Sequence, residues 1–124
     1  DFIHRARRLR KMVGGGMRQV GIMAAACHYA LDHHVERLAD DHYRSQQLAE
    51  HLNQYPQLKV NMQWVQTNMV HVEVPEDTVA LLNQEAEKMD IRLPSGNKLR
   101  LVTHLDITAN GLEKVMVLFS RVYG

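Results

Sequence analysis

Residues 68–74 read NMVHVEV, a clean alternation of apolar and polar side chains. Since successive side chains of a β-strand point to opposite faces of a sheet, this period of two predicts a strand. Residues 58–62 alternate more weakly and predict a second strand, with a turn near residues 66–68 between the two. The two strands are expected to pair with each other.

A second strand-turn-strand pattern lies further along the chain. Residues 91–93 and 99–105 are rich in apolar side chains and flank the sequence PSGN at residues 94–97. Proline fixes one backbone angle and glycine and asparagine tolerate unusual ones, so this sequence favours a turn. The two hairpins together predict a mainly antiparallel, four-stranded sheet.

The first part of the chain is helical in pattern. Residues 2–12 favour a helix, which the three glycines at residues 14–16 interrupt because glycine loses much backbone entropy in a helix. The alanine-rich residues 17–31 predict a second helix, whose small side chains allow another backbone to pack closely. We therefore expect a glycine loop between two helices.

A longer helix is predicted after Asp32 and ends before Pro56. Spacings of three and four residues define a stripe that is expected to face the core. The stripe consists of Val35, Leu38, His42, Ser45, Leu48, Leu52 and Tyr55. The charged residues between them, Asp41 included, are expected to face solvent.

Two further helices complete the pattern, one capped by Asp77 or Thr78 and one capped by Thr108. The order of elements predicts an α+β fold in which helices pack on a mainly antiparallel sheet. Residues 57–124 are predicted to form a small α+β domain, and residues 1–56 a helical segment that leads into it.

Composition narrows the class of protein. The chain has 124 residues, of which 45% are hydrophobic and 23% charged, as expected for a compact domain or a piece of a larger one. Its one cysteine, Cys27, excludes an internal disulfide and favours the cytoplasm. No apolar run approaches the ~20 residues of a membrane helix. The chain begins at Asp1 rather than at a methionine, which suggests a fragment.

Positive charge is concentrated at one end, where residues 1–18 carry six arginine or lysine side chains and one acidic side chain. Such a cluster neutralises the phosphates of a nucleic acid or of a small ligand, or forms a solvated helix face. Aromatic residues make up only 6% of the chain, which argues against nucleic acid. An anion- or nucleic-acid-binding module and a freestanding regulatory domain remain alternatives.

Two places in the sequence are candidate binding sites. Lys11 and Arg18 flank the glycines at residues 14–16, just before a predicted helix. Free amides and the positive dipole end of a helix attract anions, so this loop is a candidate phosphate site, the alternative being a glycine hinge with no ligand. The second candidate is Arg100, because a guanidinium on a strand offers a rigid fork for a carboxylate, the alternative being an edge-strand arginine in solvent.

The eight histidines do not form a metal-binding motif, so no metal ligand is predicted. His104 and Asp106 end a predicted strand, where side chains tend to project into sites. A hydrogen-bonding structural role is the expectation for them.

Three separated segments of the chain resemble the C-terminal part of the low-specificity L-threonine aldolases. They are RRLRKMVGGGMRQVGIMAAA at residues 7–26, TNMVHVEV at residues 67–74 and LRLVTHLDIT at residues 99–108. The resemblance implies a pyridoxal-phosphate enzyme of the aspartate-aminotransferase fold, also called fold type I, with residues 57–124 as its small C-terminal domain and residues 1–56 as a helical segment that bridges from the large domain. It also implies a homo-oligomer, typically a tetramer, that cleaves L-threonine or L-allo-threonine to glycine and acetaldehyde.

The resemblance assigns roles to three residues. Lys11 and Arg18 resemble family residues near the cofactor phosphate, and Arg100 resembles the arginine that binds the substrate carboxylate. In that family the lysine that forms the Schiff base lies in an upstream large domain, and no lysine here has its sequence context. We therefore expect no catalytic residue in this chain, no activity of the chain alone, and no retention of pyridoxal phosphate by it.

Overall fold

The computed structural model describes all 124 residues and contains five α-helices and three β-strands. The elements in chain order are α1 (Phe2–Met12), α2 (Val20–His33), α3 (Leu38–Leu52), β1 (Lys59–Val60), β2 (Met69–Glu73), α4 (Val79–Lys88), β3 (Lys98–Val102) and α5 (Ala109–Tyr123). Short 3-10 turns follow β1 and precede α4. None of the helices combines the length and the apolar character that crossing a bilayer requires.

The chain divides into two compact units, Asp1–Glu36 and Arg37–Gly124. The predicted division between residues 56 and 57 concerns the domains of a larger protein and stays a prediction. The first unit contains α1 and α2, which begin and end close to their predicted limits. Neither helix buries a residue, and the close packing that the small side chains of α2 predict stays a prediction.

The second unit is built on an antiparallel sheet with the strand order β1-β2-β3. The alternation in NMVHVEV buries Val70 and Val72 on one face of β2 and exposes His71 on the other. Helices α3 and α5 pack against each other, α4 packs against α5, and α3 packs against β2. The largest fully buried apolar side chains are Leu52, Val70, Val72, Val74, Leu82, Leu118 and Phe119.

The sheet has three strands, not the four predicted. Residues 91–93 form no strand, and the Ile91 amide completes the end of α4 instead. Asp90 adopts a left-handed conformation with φ of 56°, and the Ile91 amide donates to the Ala86 carbonyl at 2.9 Å. Pro94 follows and has no amide hydrogen to donate to a neighbouring strand. The second hairpin is therefore absent, and β3 pairs with β2 alone.

The buried stripe of α3 is displaced from the predicted one at its N-terminal end. His42 is exposed and Asp41, expected in solvent, is only 2% exposed. Two cations compensate for this buried charge: Arg37 Nη2 lies 2.6 Å from Asp41 Oδ1, and Arg44 Nη1 lies 3.8 Å away. A carboxylate in the first turn of a helix is also favoured by the helix dipole. Because its charge is paired, the Asp41 carboxylate can be buried.

Of the two predicted caps, Thr108 caps α5 with its side chain, whereas Thr78 precedes α4 without making a side-chain capping bond. Thr108 precedes α5, and its hydroxyl accepts a hydrogen bond from the Gly111 amide at 3.0 Å. Thr78 precedes α4, but its hydroxyl donates to the Pro75 carbonyl and meets the Tyr123 hydroxyl at 2.8 Å. Burial raises the pKa of the Tyr123 phenol, while its hydrogen bond to Thr78 acts in the opposite direction. This contact ties the start of α4 to the end of α5.

Candidate functional site

The glycine loop between α1 and α2 is closed by its own backbone hydrogen bonds. The Gly14 amide donates to the Lys11 carbonyl at 3.2 Å, and the Gly15 amide donates to the Arg10 carbonyl at 2.7 Å. The Gly16 amide donates to the Gly14 carbonyl at 2.9 Å. These bonds complete the C-terminal end of α1, a common use of glycine with positive φ, here 82° at Gly14. The glycine amides are thus engaged, and the cations nearby are the groups open to an anion.

Close approach rather than backbone angle requires a glycine at residue 15, whereas at residue 16 only the flexible end of the Lys11 side chain lies near. A Cβ at Gly15 would lie 2.7 Å from Arg10 Cγ and 2.9 Å from the Arg10 carbonyl oxygen. A Cβ at Gly16 would lie 2.7 Å from Lys11 Nζ. The ammonium group of Lys11 therefore folds back over the loop and rests against the Gly16 backbone.

Arg18 lies at the other end of the same loop, just before α2, and is exposed. Lys11 and Arg18 both belong to the first unit, and no carboxylate forms an ion pair with either of them. The loop therefore carries two cations free to bind an external anion. Arg100 belongs to the second unit.

Arg100 lies in the middle of β3, and its Cα partner on β2 is His71. Both side chains are exposed on the face of the sheet opposite the hydrophobic core, here called the open face. They line a concavity of about 860 Å³, whose wall includes the largely exposed indole of Trp64. β3 is an edge strand that pairs with β2 alone, and its pairing with β2 holds Arg100 more rigidly than a loop would.

The open face carries one more row of charges, across all three strands. Lys59 Nζ donates to Glu73 Oε1 at 3.0 Å, and Glu73 lies opposite Lys98 on β3. The hydrogen bond from Lys59 lowers the pKa of Glu73, with the Lys59 charge and the more distant Lys98 charge acting in the same direction. Arg100 takes part in none of the ion pairs of the structure. Its guanidinium is therefore available to an external carboxylate.

His104 and Asp106 lie in the loop after β3, where both are exposed. The Asp106 amide donates to His104 Nδ1 at 3.3 Å, and the Asp106 carboxylate lies 3.7 Å from the same nitrogen. These contacts join the two residues to each other and fix the local turn. The structure contains no cluster of three or more His, Cys, Asp or Glu side chains that could hold a metal ion.

Sequence reasoning did not single out His71 for a role at this site. The signal was present, since the alternation that buries Val70 and Val72 places His71 on the opposite face. What the sequence could not give was the pairing register with β3, which sets His71 directly beside Arg100.

Comparisons with known proteins give the family of this chain. Residues 1–75 match the Beta-eliminating lyase family. The chain is 41% identical to the low specificity L-threonine aldolase of Escherichia coli K12 over 93% of its own length and 34% of that protein. It is 36% identical to the probable low-specificity L-threonine aldolase 2 of Arabidopsis thaliana over 98% of its own length and 36% of that protein.

A third relative is the probable low-specificity L-threonine aldolase of Schizosaccharomyces pombe, at 34% identity over 91% of the chain and 28% of that protein. The chain thus spans about a third of the length of the curated relatives it matches first. The family match covers more than half of the chain, from α1 through β2. The chain belongs to the Beta-eliminating lyase family.

Proposed function

We propose that this chain is the C-terminal part of a pyridoxal-phosphate-dependent threonine aldolase, and that it supplies binding groups for the substrate and the cofactor. The observation that carries the proposal is Arg100, an unpaired guanidinium held on a central position of β3 in a concavity. The names of the curated relatives support the reaction class. We further propose that the complete protein is a cytoplasmic homo-oligomer of the kind its family forms.

The residues of the glycine loop fit the phosphate group of such a cofactor. A phosphate needs positive charge and close access. Lys11 and Arg18 supply the charge, and the glycines at residues 14–16 carry no side chains that would block the approach. The three glycine amides donate elsewhere, so the two side chains would hold the phosphate. The two cations would then anchor one end of the cofactor.

Arg100 would bind the carboxylate of a β-hydroxy-α-amino acid through two parallel N–H···O bonds. When bound, pyridoxal phosphate supplies the ring that takes up the electron pair released as the Cα–Cβ bond of the substrate breaks. Holding the carboxylate at two points fixes the rotation of the substrate about its Cα. Arg100 therefore acts on the rate of cleavage as well as on substrate affinity.

The role of the loop cations has a direct test in the complete polypeptide. The double variant Lys11→Ala/Arg18→Ala is expected to raise the dissociation constant of pyridoxal phosphate about ten- to hundredfold, because two charge-assisted contacts to the phosphate are lost. Titration of the apoprotein, followed by cofactor absorbance, measures this constant. The charge-matched control Arg7→Ala/Arg8→Ala removes two exposed cations of α1. Equal weakening by both pairs would contradict a specific phosphate site.

A second prediction concerns the lysines of this chain. None lies in the concavity around Arg100 except Lys59 and Lys98, and these flank the carboxylate of Glu73. We expect that borohydride reduction of the chain with pyridoxal phosphate gives no adduct at a unique lysine. Peptide mapping by mass spectrometry detects such adducts, and stoichiometric labelling of one lysine would be evidence against the proposal.

A further inference from the structure

The open face of the sheet places one imidazole directly beside Arg100. His71 and Arg100 are Cα partners on neighbouring antiparallel strands, and both side chains leave the sheet on the same side. Side chains at directly opposed positions have Cβ atoms about 4.5–5.5 Å apart, close enough for both to reach one small group. The two residues also line the same concavity.

Nothing in the structure competes for these two side chains. Glu73 is the one acidic residue of the open face, and as a diagonal neighbour it lies within reach of a long side chain on β3. Its carboxylate is instead held by Lys59 at 3.0 Å on β1. Neither His71 nor Arg100 takes part in an ion pair. The open face thus leaves two adjacent nitrogen donors without an internal acceptor.

We propose that His71 is a second donor to the substrate carboxylate, so that Arg100 and His71 together hold one carboxylate group. This inference rests on the proposed function, which supplies the carboxylate-bearing substrate. A carboxylate has two oxygens and about four acceptor positions, so it accepts the Arg100 fork and one further N–H. An imidazole carries an N–H in both its neutral and its protonated form, and protonation adds positive charge. His71 thereby increases the affinity for the substrate, and Arg100 fixes the orientation of the substrate.

The test is steady-state kinetics with L-threonine in the complete polypeptide. His71→Phe keeps a ring of similar size and removes the donor, and it is expected to raise KM about five- to twentyfold with kcat within about twofold of wild type. His71→Gln restores an N–H donor and is expected to recover most of the loss. The control His42→Phe changes an exposed histidine of α3 and is expected to leave both constants unchanged.

A double-mutant cycle separates this inference from the proposed function. If both residues hold one carboxylate, His71→Phe has little further effect once Arg100→Ala has been introduced. A KM for His71→Phe within about twofold of wild type, with a large effect of Arg100→Ala, would overturn the role of His71 and leave the proposed function in place. No effect of Arg100→Ala would overturn both. Thermal unfolding of each variant verifies the fold, since His71 is exposed and its loss costs little stability.

Discussion

Replacing Arg100 by alanine in the complete polypeptide is expected to lower kcat/KM for L-threonine by about 30- to 1000-fold, or about 2 to 4 kcal/mol of transition-state binding. The Arg100 guanidinium forms no ion pair within the chain, so its removal breaks no internal ion pair. Without it the carboxylate loses two charge-assisted hydrogen bonds and the substrate loses its fixed orientation. We expect kcat to fall and KM to rise.

Two further variants make this result specific. Arg100→Lys keeps the charge but not the planar fork, so it is expected to recover only part of the loss. Arg92→Ala removes an exposed arginine from the segment before β3 and is expected to leave the kinetics unchanged. A kcat/KM for Arg100→Ala within about threefold of wild type, less than 1 kcal/mol, would refute the assigned role.

Replacing Phe119 by alanine is expected to destabilise the second unit by about 3 to 5 kcal/mol. Phe119 is completely buried on α5, and its ring stacks on that of Tyr123 with centroids 6.0 Å apart. Helix α5 packs against both α3 and α4, so the cavity left by the ring would lie between elements that cannot all collapse into it. Domains have a net stability of about 5 to 15 kcal/mol, so this loss is a large fraction of the total.

Urea unfolding of the 124-residue chain, followed by far-ultraviolet circular dichroism, measures the change in the free energy of unfolding. Val117→Ala is the control on the same helix, since Val117 is 39% exposed. It is expected to cost under about 1 kcal/mol. Equal losses at the two positions would mean that α5 does not bury Phe119 as described.

Local sequence patterns predicted most of the helices and the central strand. Residues 69–73 of the predicted strand 68–74 form β2. Their alternation has a strong physical consequence, because a shift of one residue would expose the valines to solvent. Thr108 capped α5 because a hydroxyl before a helix satisfies an otherwise unpaired amide. Such signals depend on neighbours in the chain alone.

The features that sequence did not predict depend on partners that are distant or ambiguous. The amide of Ile91 had two possible acceptors, a neighbouring strand or the end of α4, and the structure uses the second. Asp41 is buried because Arg37 and Arg44 lie one turn away on either side and Thr103 donates to its carbonyl at 2.7 Å. An acidic residue in a helical pattern does not by itself reveal such partners.

The candidate site was predictable in part for the same reason. Lys11, Arg18 and Arg100 were proposed from their local sequences and from the family resemblance, and their roles stay predictions. His71 required the register between β2 and β3, which a single strand does not encode. The sequence also did not predict that the glycine amides bond to the end of α1, because the same loop could have left them free at the start of α2.

Acetaldehyde release from L-threonine tests the central claim most directly, when the 124-residue chain and the complete polypeptide are assayed side by side with saturating pyridoxal phosphate. We expect the complete polypeptide to turn over at an enzymatic rate of about 1 per second or faster, and the chain alone to match free pyridoxal phosphate. Cleavage by the chain alone at the rate of the complete polypeptide would contradict the account, and so would a complete polypeptide without activity.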